Sequence, residues 1–338
     1  AYLKGRNHSI EAGVKYLVLA AFSSAFLLFG MALIYLEIGS MDFLEIGRKL
    51  LEYKTIPVIF ITGLGMILVG AGFKLAIVPF HMWTADIYQG APAPVTAFIA
   101  TASKGGMFAV LFRFFTAING FEFPEIMTII TTIAIASMLI GNLLALKQNN
   151  VKRLLAYSSI AHFGYLFVAF IPGSRMGMEA ISFYILAYFI TTLTAFGIVT
   201  LLSVTENDAE DIDTYKALFW RHPFLACVFT ASLLSLAGIP LTVGFMGKFY
   251  VLAAGLQGGF WLSAVVLVLS SVIGLFYYLR LITTMFSVKE KTEIIEKKAH
   301  PGFYIASGFV LSLTTLYILW LGLYPSGMMD FMTYLLKR

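Results

Sequence analysis

One cysteine, Cys227, stands among 338 residues. A single thiol excludes an internal disulfide, a CxxC redox pair and a cysteine-built zinc site. Charge is the second scarcity: 12% of residues are Asp, Glu, Lys or Arg, about half the share of a soluble domain. Acids are the rarer sign, 18 against 23 bases. Glycine-rich phosphate loops and the nucleophile elbow are missing as well. These absences exclude a soluble enzyme, a disordered chain, a secreted disulfide scaffold and a dinucleotide- or flavin-binding fold. The histidines are isolated from one another, so the sequence offers no metal-ligand constellation.

What is present is apolar. Hydrophobic residues make up 59% of the chain, Phe alone numbers 31, and the mean hydropathy is +0.87. A bilayer core of about 30 Å takes about 20 apolar residues as helix. Runs of that length recur over 12–36, 56–83, 95–118, 125–146, 154–172, 177–204, 222–254, 259–288 and 301–324, nine in all. The chain therefore reads as an all-α polytopic membrane protein. The second run holds Pro79, and the seventh holds Gly238 and Pro240. Proline removes a backbone donor and clashes with the preceding turn. In lipid such a break persists only where protein or a wet cavity satisfies the freed groups, so both runs are expected to be discontinuous helices.

The net charge of +5 is a matter of loop lysines and orientation, not of nucleic acid. With loops numbered alternately, thirteen bases fall on the side of Lys4, Arg6 and Lys15, and seven on the side of Arg48, Lys49 and Lys54. The excess puts the N-terminal end in the cytoplasm. Lys152 and Arg153 are counted with the thirteen as loop residues. Glu206–Lys216, with five acids, is expected as a solvated connector on that same side. The chain begins at Ala1 without a signal peptide. Tyr2–Ser9 reads as a loop following an absent helix, and the chain as a fragment.

Three bases remain: Lys74, Lys104 and Lys248, each inside an apolar run. A charge at membrane depth costs at least about 2.5–3.5 kcal/mol on insertion scales. Snorkelling to the interface is the bland explanation, and mid-run Lys104 is poorly placed for it. A polar interior pathway explains all three. A buried lysine beside a carboxylate makes a switch whose proton affinity follows its partner's position. Yet none of the 18 acids lies deep in a run; Glu11 and Glu179 are near run ends and the rest are in loops. The partner carboxylate is expected from a loop, another subunit or a missing N-terminal part.

His81 follows the Pro79 break. His162 lies mid-run among Tyr157, Ser158, Ser159 and Tyr165. A lone helix histidine is usually a packed, hydrogen-bonded residue. Hydroxyl neighbours and near-neutral titration favour a proton relay at His162. Small residues such as Gly63, Gly70, Gly72, Gly105 and Gly106 suit close helix packing and carry no functional weight.

The stretch Lys74–Phe98, KLAIVPFHMWTADIYQGAPAPVTAF, resembles the antiporter-like membrane subunits of respiratory complex I, and within them the subunit N branch of bacterial NADH–quinone oxidoreductases. EAGVKYLVLAAFSSAFLLFGMALIY at 11–35, QNNVKRLLAYSSIAHFGYL at 148–166 and GIPLTVGFMGKFYVL at 238–252 fit the same family. The resemblance covers essentially the whole chain. It implies a fourteen-helix fold with inverted repeats over helices 4–8 and 9–13 and with helices 7 and 12 broken, of which the nine runs are helices 6–14. Residues 1–118 would be the rest of the first repeat, 119–288 the second, and 289–338 a C-terminal helix and tail.

By the same resemblance Lys74, Lys104 and Lys248 are the lysines of a central hydrophilic axis, with His81 and His162 on or near it. All five are expected to serve proton transfer. The family's key glutamate lies on helix 5, ahead of this chain. The implied function is proton translocation as a subunit of an NADH:quinone-oxidoreducing translocase in the bacterial inner membrane, with no redox chemistry in this chain. NADH, FMN, iron–sulfur clusters and quinone are expected in partner subunits. Neighbouring antiporter-like and small membrane subunits, and lipid, are the expected partners. Rival classes are a subunit of a multisubunit sodium/proton antiporter or membrane-bound hydrogenase, a solute carrier, and a structural membrane subunit. The GAPAPV loop after His81 favours the first reading.

Overall fold

The computed structural model describes residues 7–53, 55–203, 209–288 and 301–335. Apart from one isolated bridge between Asn150 and Asp211, the regular structure among these residues is helical. Eight helical stretches have the length and apolarity to cross a membrane. They are α1 (Asn7–Ile38), α3 (Val58–Leu75), α5 with α6 (Ala93–Phe98 and Lys104–Ala117), α7 (Pro124–Leu146), α8 (Val151–Phe170), α9 (Arg175–Leu202), α13 (Trp261–Met285) and α14 (Pro301–Leu323). The ninth expected run is two 15-residue halves, α11 (Pro223–Ala237) and α12 (Val243–Gln257). Each half is about 22 Å long and falls short of a bilayer core alone. Short helices complete the chain: α2 (Phe43–Leu50) and α4 (Thr84–Gly90), then α10 (Leu218–Arg221) and α15 (Ser326–Leu335).

Both expected breaks are present, and their freed backbone groups find partners. After α3, Ala76 takes a left-handed conformation (φ 59°), and its N–H and that of Ile77 donate back to Phe73 and Gly72. The Trp83 indole also donates to the Phe73 carbonyl at 3.0 Å, and Ser137 on α7 accepts from Val78 N–H at 3.0 Å. After α11, Gly238 (φ 85°) turns the chain. The last four carbonyls of a helix have no partner within it. Here Leu234 and Ser235 accept from backbone N–H groups of Gly238 and Ile239, and Leu236 and Ala237 accept from Lys248. A third irregularity, which the sequence did not announce, is a π turn over Ile99–Ser103 between α5 and α6.

Helix α8 lies at the centre. It has the lowest hydropathy of the eight stretches and the largest buried share, 89% of its best window, whereas α1 and α14 are 17% buried. This inverts the soluble pattern, because lipid accepts apolar faces and polar residues must turn inward. It packs on α4, α7, α9 and α12.

Three expectations need correction. Tyr2–Ser9 was expected as a loop, but Asn7, His8 and Ser9 already belong to α1; residues 1–6 lie outside the described residues. The Glu206–Lys216 connector is docked where it is described. Asp211 pairs with Asn150, and Tyr215 is buried with its hydroxyl donating to the Ala209 carbonyl at 2.9 Å. Lys152, counted as a loop base, is fully buried in the first turn of α8. Its Nζ donates to the Gln89 and Ala91 carbonyls at 2.8 and 2.7 Å, closing the C-terminal end of α4.

Candidate functional site

Lys104 follows the π turn and is fully buried. Its Nζ donates to Ser159 Oγ at 2.8 Å and lies 5.6 and 5.2 Å from the ring centres of Tyr88 and Phe163. Ser159 also accepts from the Tyr188 hydroxyl of α9 at 2.9 Å. The ammonium thus rests on one hydroxyl and two ring faces, each a weak substitute for water.

His162 is one turn beyond Ser158 on α8. Its Nδ1 is 2.7 Å from the Tyr184 hydroxyl and its Nε2 is 3.3 Å from that of Tyr278 on α13. Tyr278 in turn shares a short hydrogen bond with Ser158. The Tyr188 and His162 rings are 5.4 Å apart, which places the Lys104 cluster beside the histidine cluster. Both ring nitrogens meet hydroxyls that donate or accept, so either tautomer is accommodated.

Lys248 sits in the second turn of α12 and folds back on the half-helix that precedes it. Its Nζ donates to the Leu236 and Ala237 carbonyls at 2.9 and 2.8 Å and to Ser271 Oγ on α13 at 2.9 Å. A helix C-terminus carries partial negative charge, so α11 supplies in dipole form what no carboxylate supplies. The Tyr165 ring lies beneath the ammonium at 5.1 Å, and Tyr165 meets His162 edge-on at 5.5 Å. No hydrogen bond joins His162 directly to Lys248 among the described residues.

The other two expected residues stand apart. Lys74, in the last turn of α3, is exposed, and its Nζ donates to the Tyr16 hydroxyl of α1 at 3.5 Å. His81 is buried in the irregular segment before α4, and its Nδ1 has no hydrogen-bond partner among the described residues. The structure therefore brings together Lys104, His162 and Lys248, and leaves Lys74 exposed among the described residues. No carboxylate lies within 4.0 Å of any of the three lysines among the described residues.

Tyr184, Tyr188, Tyr278 and Ser271 complete the cluster, with Asn142 bordering it, and none was singled out in the sequence. The spacing of Tyr184 and Tyr188 by four was the one available signal; an aromatic pair at that spacing is ordinary core. Of the four neighbours named around His162, Ser158, Ser159 and Tyr165 are buried in the cluster, and Tyr157 is half-buried, packed both on the main core and on the apolar side chains near Ala12 and Trp83.

At the end of the bundle marked by Lys15 and Lys152 the charges are paired. Asp86 of α4 accepts from Arg153 at 2.7 Å and from Lys15 at 2.9 Å. Burial pushes the Asp86 carboxyl up, but the hydrogen bonds from Arg153 and Lys15 outweigh it and hold it below the usual range. Glu210 accepts from Asn150 at 2.9 Å and Gln89 at 3.2 Å and lies 3.7 Å from Lys152.

Residues 1–274 match the family described as NADH:quinone oxidoreductase/Mrp antiporter, transmembrane. The chain is 49% identical over 332 residues to the NADH-quinone oxidoreductase subunit N of Ectopseudomonas mendocina, covering 98% of this chain and 67% of that one. The corresponding protein of Nitrosospira multiformis is 46% identical over 343 residues, with 96% and 67% covered. A chain of respiratory complex I from Thermus thermophilus, solved with bound aureothin, superposes with a TM-score of 0.82 at 33% identity over 97% of this chain and 70% of its own. The chain spans about two thirds of the length of the curated relatives it matches.

Proposed function

The chain belongs to the NADH:quinone oxidoreductase/Mrp antiporter membrane family, and from that premise we propose that it is a proton-translocating subunit in the membrane arm of an NADH:quinone oxidoreductase. The observation that carries this reading is the Lys104–His162–Lys248 cluster. Two buried ammonium groups, bonded only to neutral partners, flank a histidine whose ring nitrogens both meet hydroxyls. They converge on α8, the most buried of the eight membrane-crossing stretches.

Proton affinity at such lysines responds to neighbouring charge. Moving one proton against 100 mV requires about 2.3 kcal/mol. The approach or withdrawal of one opposite charge changes a lysine by about 1–3 pKa units, or about 1.4–4 kcal/mol. A single moving charge is therefore on the needed scale. In this proposal Lys74, exposed among the described residues, receives that charge from a neighbouring segment or subunit. Lys104 exchanges a proton through Ser159 and Tyr188 toward His162, and Lys248 passes it on when it leaves the carbonyls of α11. His81, whose Nδ1 has no hydrogen-bond partner among the described residues, stands apart from this cluster in the segment before α4. Quinone reduction, with NADH, FMN and iron–sulfur clusters, belongs to partner subunits. The chain sits in the bacterial inner membrane among other membrane-arm subunits and lipid, its N-terminal end cytoplasmic.

The test is Lys104→Met in the assembled complex reconstituted in proteoliposomes. The expected result is NADH oxidation with a reduced proton-to-electron ratio. An unchanged ratio overturns the assignment.

A further inference from the structure

Asn142 of α7 is 1% exposed and stands between two groups of hydroxyls. Its Nδ2 donates to the Met138 carbonyl at 2.8 Å and to the Tyr165 hydroxyl at 2.9 Å, and its Oδ1 accepts from the Tyr277 hydroxyl at 2.9 Å. The Met138 carbonyl only accepts, so it fixes which end of the amide carries the NH2 group. Tyr277 must then donate, and Tyr165 must accept. The space is fitted to this side chain: on α13 facing it, a Cβ at Gly274 would stand 3.1 Å from Oδ1.

Tyr277 adjoins the His162 cluster, and Tyr165 adjoins Lys248 and meets His162 by its ring edge, not by its hydroxyl. Tyr277 meets Tyr278 with ring centres 4.4 Å apart and ring planes tilted by 53°, and Tyr278 is hydrogen-bonded to His162 and Ser158. Tyr165 carries Lys248 over its ring, and Ser271, on the helix that bears both Tyr277 and Tyr278, bonds the same ammonium. A hydroxyl takes a proton on one lone pair and releases another from the same oxygen, so a row of hydroxyls conducts. An amide takes a proton at oxygen and releases one from nitrogen only through a high-energy protonated or imidic form. Asn142 thus joins the two groups mechanically and separates them for protons.

We propose that Asn142 is an insulating residue: a fixed amide that closes the tyrosine branch between the His162 cluster and the Lys248 cluster, so that exchange between the two lysines depends on His162 and on movement around it. This rests on the proton-translocating reading above and adds to it a residue that holds no mobile proton itself. A relaying group at position 142 would instead link the Tyr277 and Tyr165 hydroxyls and open a second route between the two clusters.

The experiment compares Asn142→Ser, Asn142→Asp and Asn142→Leu in the assembled complex in proteoliposomes. Passive proton conductance is read with a pH dye under a potassium diffusion potential, without electron donor, and the proton-to-electron ratio is read during turnover. Serine and aspartic acid supply a relaying oxygen; leucine fills the space with none. The expected result is a rise in passive conductance of about tenfold for Ser and Asp, equivalent to about 1.4 kcal/mol off the barrier. Their proton-to-electron ratio should fall while NADH oxidation is retained, and Leu should stay near the wild type in conductance. Wild-type conductance in Ser and Asp overturns the proposal, as does equal leakage in all three, which marks a packing role. Failure of both Ser and Asp to assemble also overturns it in favour of scaffolding. Lys104→Met, run in parallel, separates the outcomes: a changed ratio there with no leak at Asn142 removes the insulator and leaves the translocation reading standing.

Discussion

Lys248 and Gly238 show how one residue serves two needs. The ammonium completes the carbonyl end of α11, and Gly238 makes that approach possible. At φ 85° a side chain is strained, and a Cβ there would lie 2.9 Å from Lys248 Cδ and 3.1 Å from its Nζ. Gly238→Ala should therefore lose about 1–2 kcal/mol for the left-handed backbone alone and also displace the lysine. The expected outcome is a lower midpoint of thermal unfolding for the purified complex together with a reduced proton-to-electron ratio. A variant with wild-type midpoint and pumping would show that the seat is not shaped by this glycine. Lys74 illustrates the opposite case: it precedes its break, and neither α3 nor the irregular segment after it offers a comparable seat. Two lysines that look alike in the sequence, each near a proline-marked break, have unlike surroundings.

Half-helix α4 is held through charges donated by other elements. Lys152 closes its C-terminal carbonyls, and Arg153 and Lys15 bind Asp86. Lys152→Met leaves the Gln89 and Ala91 carbonyls without that donor, and an unsatisfied buried polar group costs about 1–3 kcal/mol. Amide hydrogen exchange over residues 84–92 should then speed up while that of α13 stays unchanged. Equal protection in variant and wild type would assign α4 its stability elsewhere. The Asp86 pairing adds a pH dependence with a definite sign. Its folded pKa lies below the unfolded value of about 3.9, so its stabilisation is complete above about pH 4 and is lost as pH falls through the folded value. Asp86→Asn should lower stability near neutral pH and flatten the acid limb of the midpoint-against-pH curve. An acid limb identical to the wild type would place the titrating group elsewhere.

For the whole molecule, the distribution of polarity fixes how it sits in lipid. The outward faces of α1, α13 and α14 are apolar, with Leu17, Phe276 and Phe309 among the exposed side chains, and the polar side chains of α8 face protein. Contacts sort the connections into two ends. Lys15, Asp86, Lys152 and Glu210 meet at one. At the other, Phe121 abuts Gly173, and Pro172 abuts Gly258. The proposed orientation puts the first end in the cytoplasm. With Cys227 replaced by serine, a single cysteine at Asp213, whose side chain is 78% exposed, should react with a membrane-impermeant maleimide from the cytoplasmic side only. One at Glu122, exposed at the other end, should react from the opposite side only. Reversed labelling would invert the orientation.

The sequence by itself determined the fold class, the crossings and the two breaks, because lipid leaves a chain few choices: every backbone group must be satisfied within the membrane, and apolar length and proline are written residue by residue. It also marked Lys104, His162 and Lys248, since polar groups in apolar runs are conspicuous. Tertiary structure alone decided which of these meet. Lys74 is exposed among the described residues and Lys152 is buried, because burial depends on which helices pack over a residue, and 3.6-residue periodicity says little where every face is apolar. Tyr184, Tyr188, Tyr278 and Asn142 were invisible for the same reason. A tyrosine or an asparagine in a membrane helix joins this cluster through partners 22 to 135 positions away, and the pairing of α7, α8, α9 and α13 that supplies them is a property of the packed bundle.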